Sequence, residues 1–261
     1  MFDTHCHLTS PDLHVQVKDV LRRALDKGVR GAITVATGSH DAPMCLELAR
    51  QFPQVWCTTG IHPHQAQEPA DWYLIRQIAN DPKCVAWGEL GLDWHYKDPP
   101  REAQYKCLEA HLDLIEKARK EGIDKPIVVH CRKSLPDLLE VFQARDLPPE
   151  QFVFHCFTGT PEEASIILEF GAWISFTGVV TFASAPEVAE AAKLVPLDRL
   201  MVETDSPYLS PEPVRKTRPN EPAHVAMIAR FLAGLHGMDY QDFESIVDAN
   251  AARFFNITLP E

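Results

Sequence analysis

The chain has 261 residues, 45% hydrophobic and 24% charged. This ordinary globular composition excludes a disordered polymer and suffices for one large core. Against 37 Asp and Glu stand 25 Lys and Arg, a formal net charge of −12; that excludes broad, nonspecific binding along duplex nucleic acid but permits a small site gripping a few phosphates. The 7 cysteines are scattered without a CxxC pair, which speaks against a disulfide framework; with no apolar run near the roughly 20 residues that span a bilayer and no signal-peptide pattern at Met1-Phe2-Asp3-Thr4-His5, a soluble cytoplasmic protein with no membrane partner is expected.

In chain order, the first apolar run is residues 1–5, followed by an amphipathic stretch at 15–25 with Val17, Val20, Leu21 and Ala24 near a 3.6-residue period. Further apolar runs cover residues 31–37, 55–62 and 85–92. Residues 101–120 form the longest helical pattern, and runs at 126–131 and 152–157 follow it. Pro161 with Glu162 and Glu163 marks a helix start, where a first turn favours proline and acids. Runs at 172–177 and 200–205 complete the set, and residues 239–255 read as one or two added helices. The runs are continuous rather than alternating, as in parallel sheets buried on both faces. Eight such strands alternating with helices predict an α/β fold, a single-domain (β/α)8 TIM barrel over residues 1–261, with a doubly wound open sheet as the other arrangement.

The chemistry gathers at the predicted C-terminal strand ends, the edge where such folds bind ligands. His5 and His7 are two apart in a strand, so both imidazoles reach one side. His130 and His155 each close an apolar strand and each precede a cysteine. One such histidine is more often packed in a satisfied core, but two in successive strands point to a metal site. Cys6, Cys131 and Cys156 neighbour these histidines, so alternation turns them to the opposite face as small hydrophobes. Glu89 lies inside an apolar segment between Gly88 and Leu90-Gly91. A carboxylate there is costly unless paired or bound to metal, and the glycines permit a tight turn or close approach.

Glu203 and Asp205 sit two apart at the end of the eighth run. Asp205 is expected nearer the open end, as metal ligand and proton acceptor for a water, and Glu203 deeper, orienting the water or a ligand. The spacing leaves these two roles interchangeable. His62 and His64 follow the third run and are candidates for substrate phosphate contact, as is Arg132 directly after the fifth strand. Arg215, Lys216 and Arg218 follow the last strand, where barrels often bind phosphate.

Seven stretches, in order, carry a resemblance: Asp3-Thr4-His5-Cys6-His7-Leu8, Gly60-Ile61-His62-Pro63, Gly88-Glu89-Leu90-Gly91-Leu92-Asp93, Val129-His130-Cys131-Arg132, His155-Cys156-Phe157-Thr158-Gly159, Glu203-Thr204-Asp205-Ser206-Pro207-Tyr208-Leu209 and Arg218-Pro219-Asn220-Glu221-Pro222. Together they resemble the TatD family of metal-dependent deoxyribonucleases within the amidohydrolase-like superfamily. The resemblance implies a barrel with two divalent metal ions (Mg, Mn or Zn), His5, His7 and Asp205 serving one, His130 and His155 the other, and Glu89 bridging. It also implies hydrolysis of DNA phosphodiester bonds by a metal-activated water, exonucleolytic on ends or single strands. Asp205, Glu203 and His62 are the expected catalytic residues, and Arg132, His62 and His64 the expected phosphate contacts. A monomer is expected. The alternative is a small-molecule hydrolase of lactones, amides or phosphate esters, since fold does not set substrate; a non-catalytic scaffold is the third reading, disfavoured by the cost of burying so many polar donors.

Overall fold

A computed structural model describes residues 1–259. Its eight strands are β1 (Phe2–Cys6), β2 (Gly31–Thr34), β3 (Val55–Thr59), β4 (Cys84–Asp93), β5 (Ile127–Arg132), β6 (Phe152–Phe154), β7 (Trp173–Phe176) and β8 (Leu200–Val202). They form one sheet in the order β1-β2-β3-β4-β5-β6-β7-β8, and the registered pairs are parallel. A parallel bridge between Cys6 and Ser206 joins the segment after β8 to β1. Sequential parallel strands with intervening helices are the (β/α)8 fold. By contact density the chain divides into two compact units, Met1–Thr34 with Cys156 onward, and Val35–His155.

The first unit holds β1, β2, β7 and β8 with α1 (Pro11–His14), α2 (Val17–Asp26), α7 (Pro161–Phe170), α8 (Pro186–Leu194), α9 (Val225–Leu235) and α10 (Tyr240–Phe255). Helix α7 begins where its sequence demands. Pro161 occupies the first turn, and Thr160 and Glu163 close a reciprocal capping box. The second unit holds β3 to β6 with α3 (Ala42–Gln51), α4 (Trp72–Ala79), α5 (Arg101–Lys120) and α6 (Leu135–Gln143). Helix α5 has the limits its periodicity predicts and buries Gln104, Cys107, Leu108, His111, Leu112, Ile115 and Ala118 along one stripe. Every residue of β4 is buried, as a strand covered on both faces requires. Each fully buried Leu, Ile, Val or Phe contributes about 1.5–3 kcal/mol relative to exposure, so these strands hold the sheet while their ends carry polar side chains.

Five strands are shorter than their apolar runs. β2 ends at Thr34, β3 at Thr59, β6 at Phe154, β7 at Phe176 and β8 at Val202, so Thr37, His62, His155 and Asp205 lie past the strand ends. Among the described residues, no helix is long and apolar enough to cross a membrane.

Candidate active site

The expected ligands form two clusters, one within each compact unit. In the first, His5, His7 and Asp205 each direct one donor atom into a common space. His5 Nε2 lies 3.4 Å from His7 Nε2, and Asp205 Oδ1 lies 3.7 Å from the former and 3.3 Å from the latter. The backbone enforces this meeting: the Asp205 N–H donates to the His5 carbonyl at 2.9 Å and the His7 N–H to the Ser206 carbonyl at 2.7 Å. Asp205 itself is left-handed, with φ 52°. That conformation costs a non-glycine residue about 1–2 kcal/mol, and local strain of this kind persists only where the surroundings over-determine it.

Asp3, to which the sequence pattern gives no role, supplies much of that determination. Its carboxylate accepts from the Thr204 N–H at 2.9 Å and the Thr204 hydroxyl at 2.6 Å. Burial pushes the Asp3 carboxyl up to about 8, opposed by the hydrogen bonds from Thr204 and His5. Asn220 braces the other side, its amide donating to the Thr204 carbonyl at 3.1 Å and to the Tyr208 carbonyl. Glu203 is buried and accepts the Cys156 N–H at 2.6 Å, whereas the Asp205 side chain is 14% exposed. Glu203 is thus the more buried of the two acids.

In the second unit, three imidazoles converge on one carboxylate oxygen. Glu89 Oε2 lies 2.7 Å from His155 Nε2, 3.4 Å from His130 Nδ1 and 3.8 Å from His62 Nε2. His130 Nδ1 is in turn 3.1 Å from His62 Nε2 and 3.4 Å from His155 Nε2. The glycines around Glu89 permit close approach. A Cβ at Gly88, whose φ is 125°, would stand 2.6 Å from the Val128 carbonyl oxygen, and one at Gly91 would overlap the His130 carbonyl.

Asp93, another residue without a predicted role, fixes the orientation of His130. It closes β4 fully buried, and its Oδ2 accepts from His130 Nε2 at 3.1 Å and His64 Nε2 at 3.0 Å. A carboxylate can only accept, so His130 carries a proton on Nε2; in the neutral ring Nδ1 then keeps a lone pair toward Glu89, and only the doubly protonated ring donates to Glu89. His62 is oriented similarly. Its Nδ1 accepts the His64 N–H at 3.0 Å, which leaves the proton on Nε2. Burial, with repulsion from His130 and His64, holds the His62 imidazole well below its usual value despite Glu89. Burial pushes Glu89 up, but its interactions with His62, His155 and His130 outweigh it and keep Glu89 well below the carboxylate range. The same contest leaves Asp93 low, through His130 and His64. His130 is raised, because its bonds to Asp93 and Glu89 outweigh its burial.

The donor chemistry of both clusters suits a divalent cation. Imidazole and carboxylate are its usual ligands, and donors about 2.1 Å from such an ion stand about 3.0–3.4 Å apart in octahedral to tetrahedral arrangements. Most spacings above lie near that range. The carboxylate behind His130 is the support that metal-binding histidines ordinarily have. Among the described residues no cysteine belongs to these candidate groups. Cys6 is buried and donates to the Ile33 carbonyl, as the alternation predicts. Cys131 and Cys156 are only half-buried. Strand alternation ends before Cys156, which is left-handed at φ 47°, and its sulfur lies 3.6 Å from the Thr177 hydroxyl.

Of the expected phosphate contacts, His62 belongs to the second cluster and His64 is joined to it through Asp93. Arg132 closes β5, two residues beyond His130. The later arginines are engaged elsewhere: Arg218 donates to Ser210 and Thr217 within its own loop, and Arg215 pairs with Glu212 and lies over Phe182.

Comparison with known proteins places this geometry in a lineage. The chain is 35% identical over 260 residues to the metal-dependent hydrolase YcfH of Escherichia coli, covering 98% of this chain and 96% of that one. It is 33% identical over 267 residues to the 3'-5' ssDNA/RNA exonuclease TatD of Salmonella typhimurium, covering 99% and 100%. The crystal structure of YjjV, a TatD homologue from Escherichia coli, superposes with a TM-score of 0.91 at 27% identity over 99% of this chain and 98% of that one. Residues 2–256 match the family model for TatD related DNases. The chain therefore belongs to the family of TatD related DNases, and its fold is that family's (β/α)8 barrel.

Proposed function

We propose that this protein is a metal-dependent nuclease that hydrolyses phosphodiester bonds at ends or in single strands of DNA. The observation that carries the reading is the convergence of His62, His130 and His155 on Glu89 Oε2, with Asp93 holding His130 from behind. Family membership supports it, as does the name of the Salmonella relative, a single-strand DNA and RNA exonuclease. The acidic overall charge suits a substrate held at a few phosphates rather than along a duplex.

In this reading His5, His7 and Asp205 would hold one divalent ion, and Glu89, His130 and His155 a second, drawn from Mg, Mn or Zn. Such ions would supply Lewis acidity toward a phosphoryl oxygen and bring the pKa of a coordinated water down towards neutrality. Asp205, the accessible acid of its cluster, accepts the proton of the attacking water. Glu203, anchored on the Cys156 N–H, orients that water. Neutral His62 offers its Nε2 proton to a phosphate oxygen, and Arg132 engages the phosphate in a bidentate manner. His64 shares Asp93 with His130, so we assign it to supporting His130 rather than to the phosphate. The chain is assigned as a cytoplasmic monomer.

End-labelled single- and double-stranded DNA and RNA, incubated across Mg²⁺, Mn²⁺ and Zn²⁺ with chelator controls, tests the proposal. Metal-dependent shortening from one end of single strands is the expected result. No cleavage with any metal, together with turnover of a lactone, amide or phosphate-ester panel, would replace the nuclease reading with the small-molecule one.

A further inference from the structure

Tyr96 lies in the segment between β4 and α5 with 51% of its surface exposed. Neighbouring side chains set its ring: His64 meets it edge-on at 5.2 Å and 77°, and His95 at 4.7 Å and 87°. The Arg132 guanidinium stands over the ring, 5.3 Å from its centroid. Among the described residues no carboxylate lies within ion-pair distance of Arg132. Many arginines in this acidic protein have such partners, Arg23 with Glu221, Arg30 with Asp248, Arg50 with Asp81 and Arg145 with Glu109, and Arg101, Arg230 and Arg253 lie over rings as Arg132 does. A half-exposed aromatic ring thus carries an unpaired, bidentate cation beside it. The pair adjoins the second cluster directly, because His64 shares Asp93 with His130, which faces Glu89.

We propose that Tyr96 and Arg132 form a nucleotide subsite next to the scissile bond, with an unpaired base stacking on the Tyr96 ring and its phosphate bound by Arg132. The inference rests on the nuclease reading and deepens it. Every base has a π-face, so a tyrosine platform binds without sequence preference, and a planar guanidinium matches two phosphate oxygens. A base inside a duplex is already stacked on its neighbours and cannot use the platform. The subsite therefore selects single strands and frayed ends, in a protein whose formal net charge is −12.

The test crosses the protein with the substrate. Wild type and Tyr96→Ala are each assayed, with metal, on an end-labelled single-stranded oligodeoxynucleotide and on the same strand with abasic residues at its three terminal positions. Binding of the same strands is measured by fluorescence anisotropy in chelator. For the normal strand, Tyr96→Ala is expected to raise KM and Kd about tenfold, in the range of base–aromatic stacking, with kcat within about twofold. For the abasic strand, wild type and variant should coincide, because the partner of the ring is already gone. Tyr96→Phe should behave as wild type, and Arg132→Ala should weaken both strands alike. Equal KM and Kd for wild type and Tyr96→Ala on the normal strand, or an equal loss on both strands, overturns the subsite. A wild type inactive on every nucleic acid overturns the nuclease reading and the subsite with it, whereas an active wild type with a negative cross removes the subsite alone.

Discussion

Replacing Asp93 by Asn probes whether the second cluster is built to hold a cation. In the native protein one carboxylate oxygen accepts from His130 Nε2 at 3.1 Å and from His64 Nε2 at 3.0 Å. The Asp93 carboxyl is held below its usual range by those bonds, against its burial, so it is ionised at neutral pH. Hydrogen bonds to a charged group contribute about 1.5–3 kcal/mol, against about 1 kcal/mol for neutral pairs. Asn keeps an acceptor and loses the charge. It also presents an NH₂ that, turned toward His130, drives the imidazole proton from Nε2 to Nδ1 and removes the lone pair facing Glu89. Losing a carboxylate behind a metal-binding histidine typically costs 10–100-fold in affinity or activity, about 1.4–2.7 kcal/mol. We expect a Mn²⁺ affinity and a kcat lowered within that range. The strand end should survive, because Gln104 holds the Asp93 backbone independently, through the Asp93 N–H at 2.8 Å and carbonyl at 3.1 Å. Titration calorimetry with Mn²⁺ and single-strand cleavage are the assays, with urea unfolding to confirm the fold. A folded variant whose Mn²⁺ affinity and kcat both stay within twofold of wild type refutes the idea that Asp93 sets His130 for a cation.

Asp205→Asn should lower cleavage by about 10²–10⁴-fold, the usual range for a lost proton-transfer group, and Glu89→Gln, which removes the charged ligand of the second cluster, should lower cleavage more than tenfold, with circular dichroism unchanged in both; turnover within tenfold of wild type in a metal-replete preparation removes the assignment. Exhaustive chelation should abolish cleavage and lower the thermal midpoint, and Mn²⁺ restored at about 100 times its Kd should return about 2.7 kcal/mol of stability; a midpoint indifferent to Mn²⁺ argues against native-state binding. Stability should also fall with acid through His111, which is buried edge-on against Trp72 at 4.8 Å and whose imidazole burial pushes down to about 3. Its folded value is depressed, so the unfolded chain takes up a proton below about 6.5 while the folded one does not, and the loss reaches about 2 kcal/mol at pH 5. The difference in urea unfolding free energy between pH 7 and pH 5 should shrink by that amount in His111→Phe, a comparison in which any packing offset cancels; an unchanged difference contradicts a neutral buried His111.

Local pattern carried much of this protein. The periodicity of residues 101–120 predicts both ends of α5, Pro161 with its acids predicts the start of α7, and the glycines beside Glu89 predict a close approach that the backbone of β5 makes. These features depend on neighbours a few residues apart, whose spacing reports directly which face is apolar. Strand ends are less legible, because apolar runs continue past the regular strand, as at His155 and Asp205, whose N–H groups still donate to Val129 and His5. The roles of Asp3 and Asp93 belong to the tertiary structure alone. Asp3 meets Thr204 across 201 positions, and Asp93 meets His64 and His130 across 29 and 37. Which nitrogen of His130 faces Glu89 is likewise decided by a distant carboxylate. Periodicity can bring a histidine to a strand end, but its proton is placed only when the folded chain brings an acceptor to the other side of the ring.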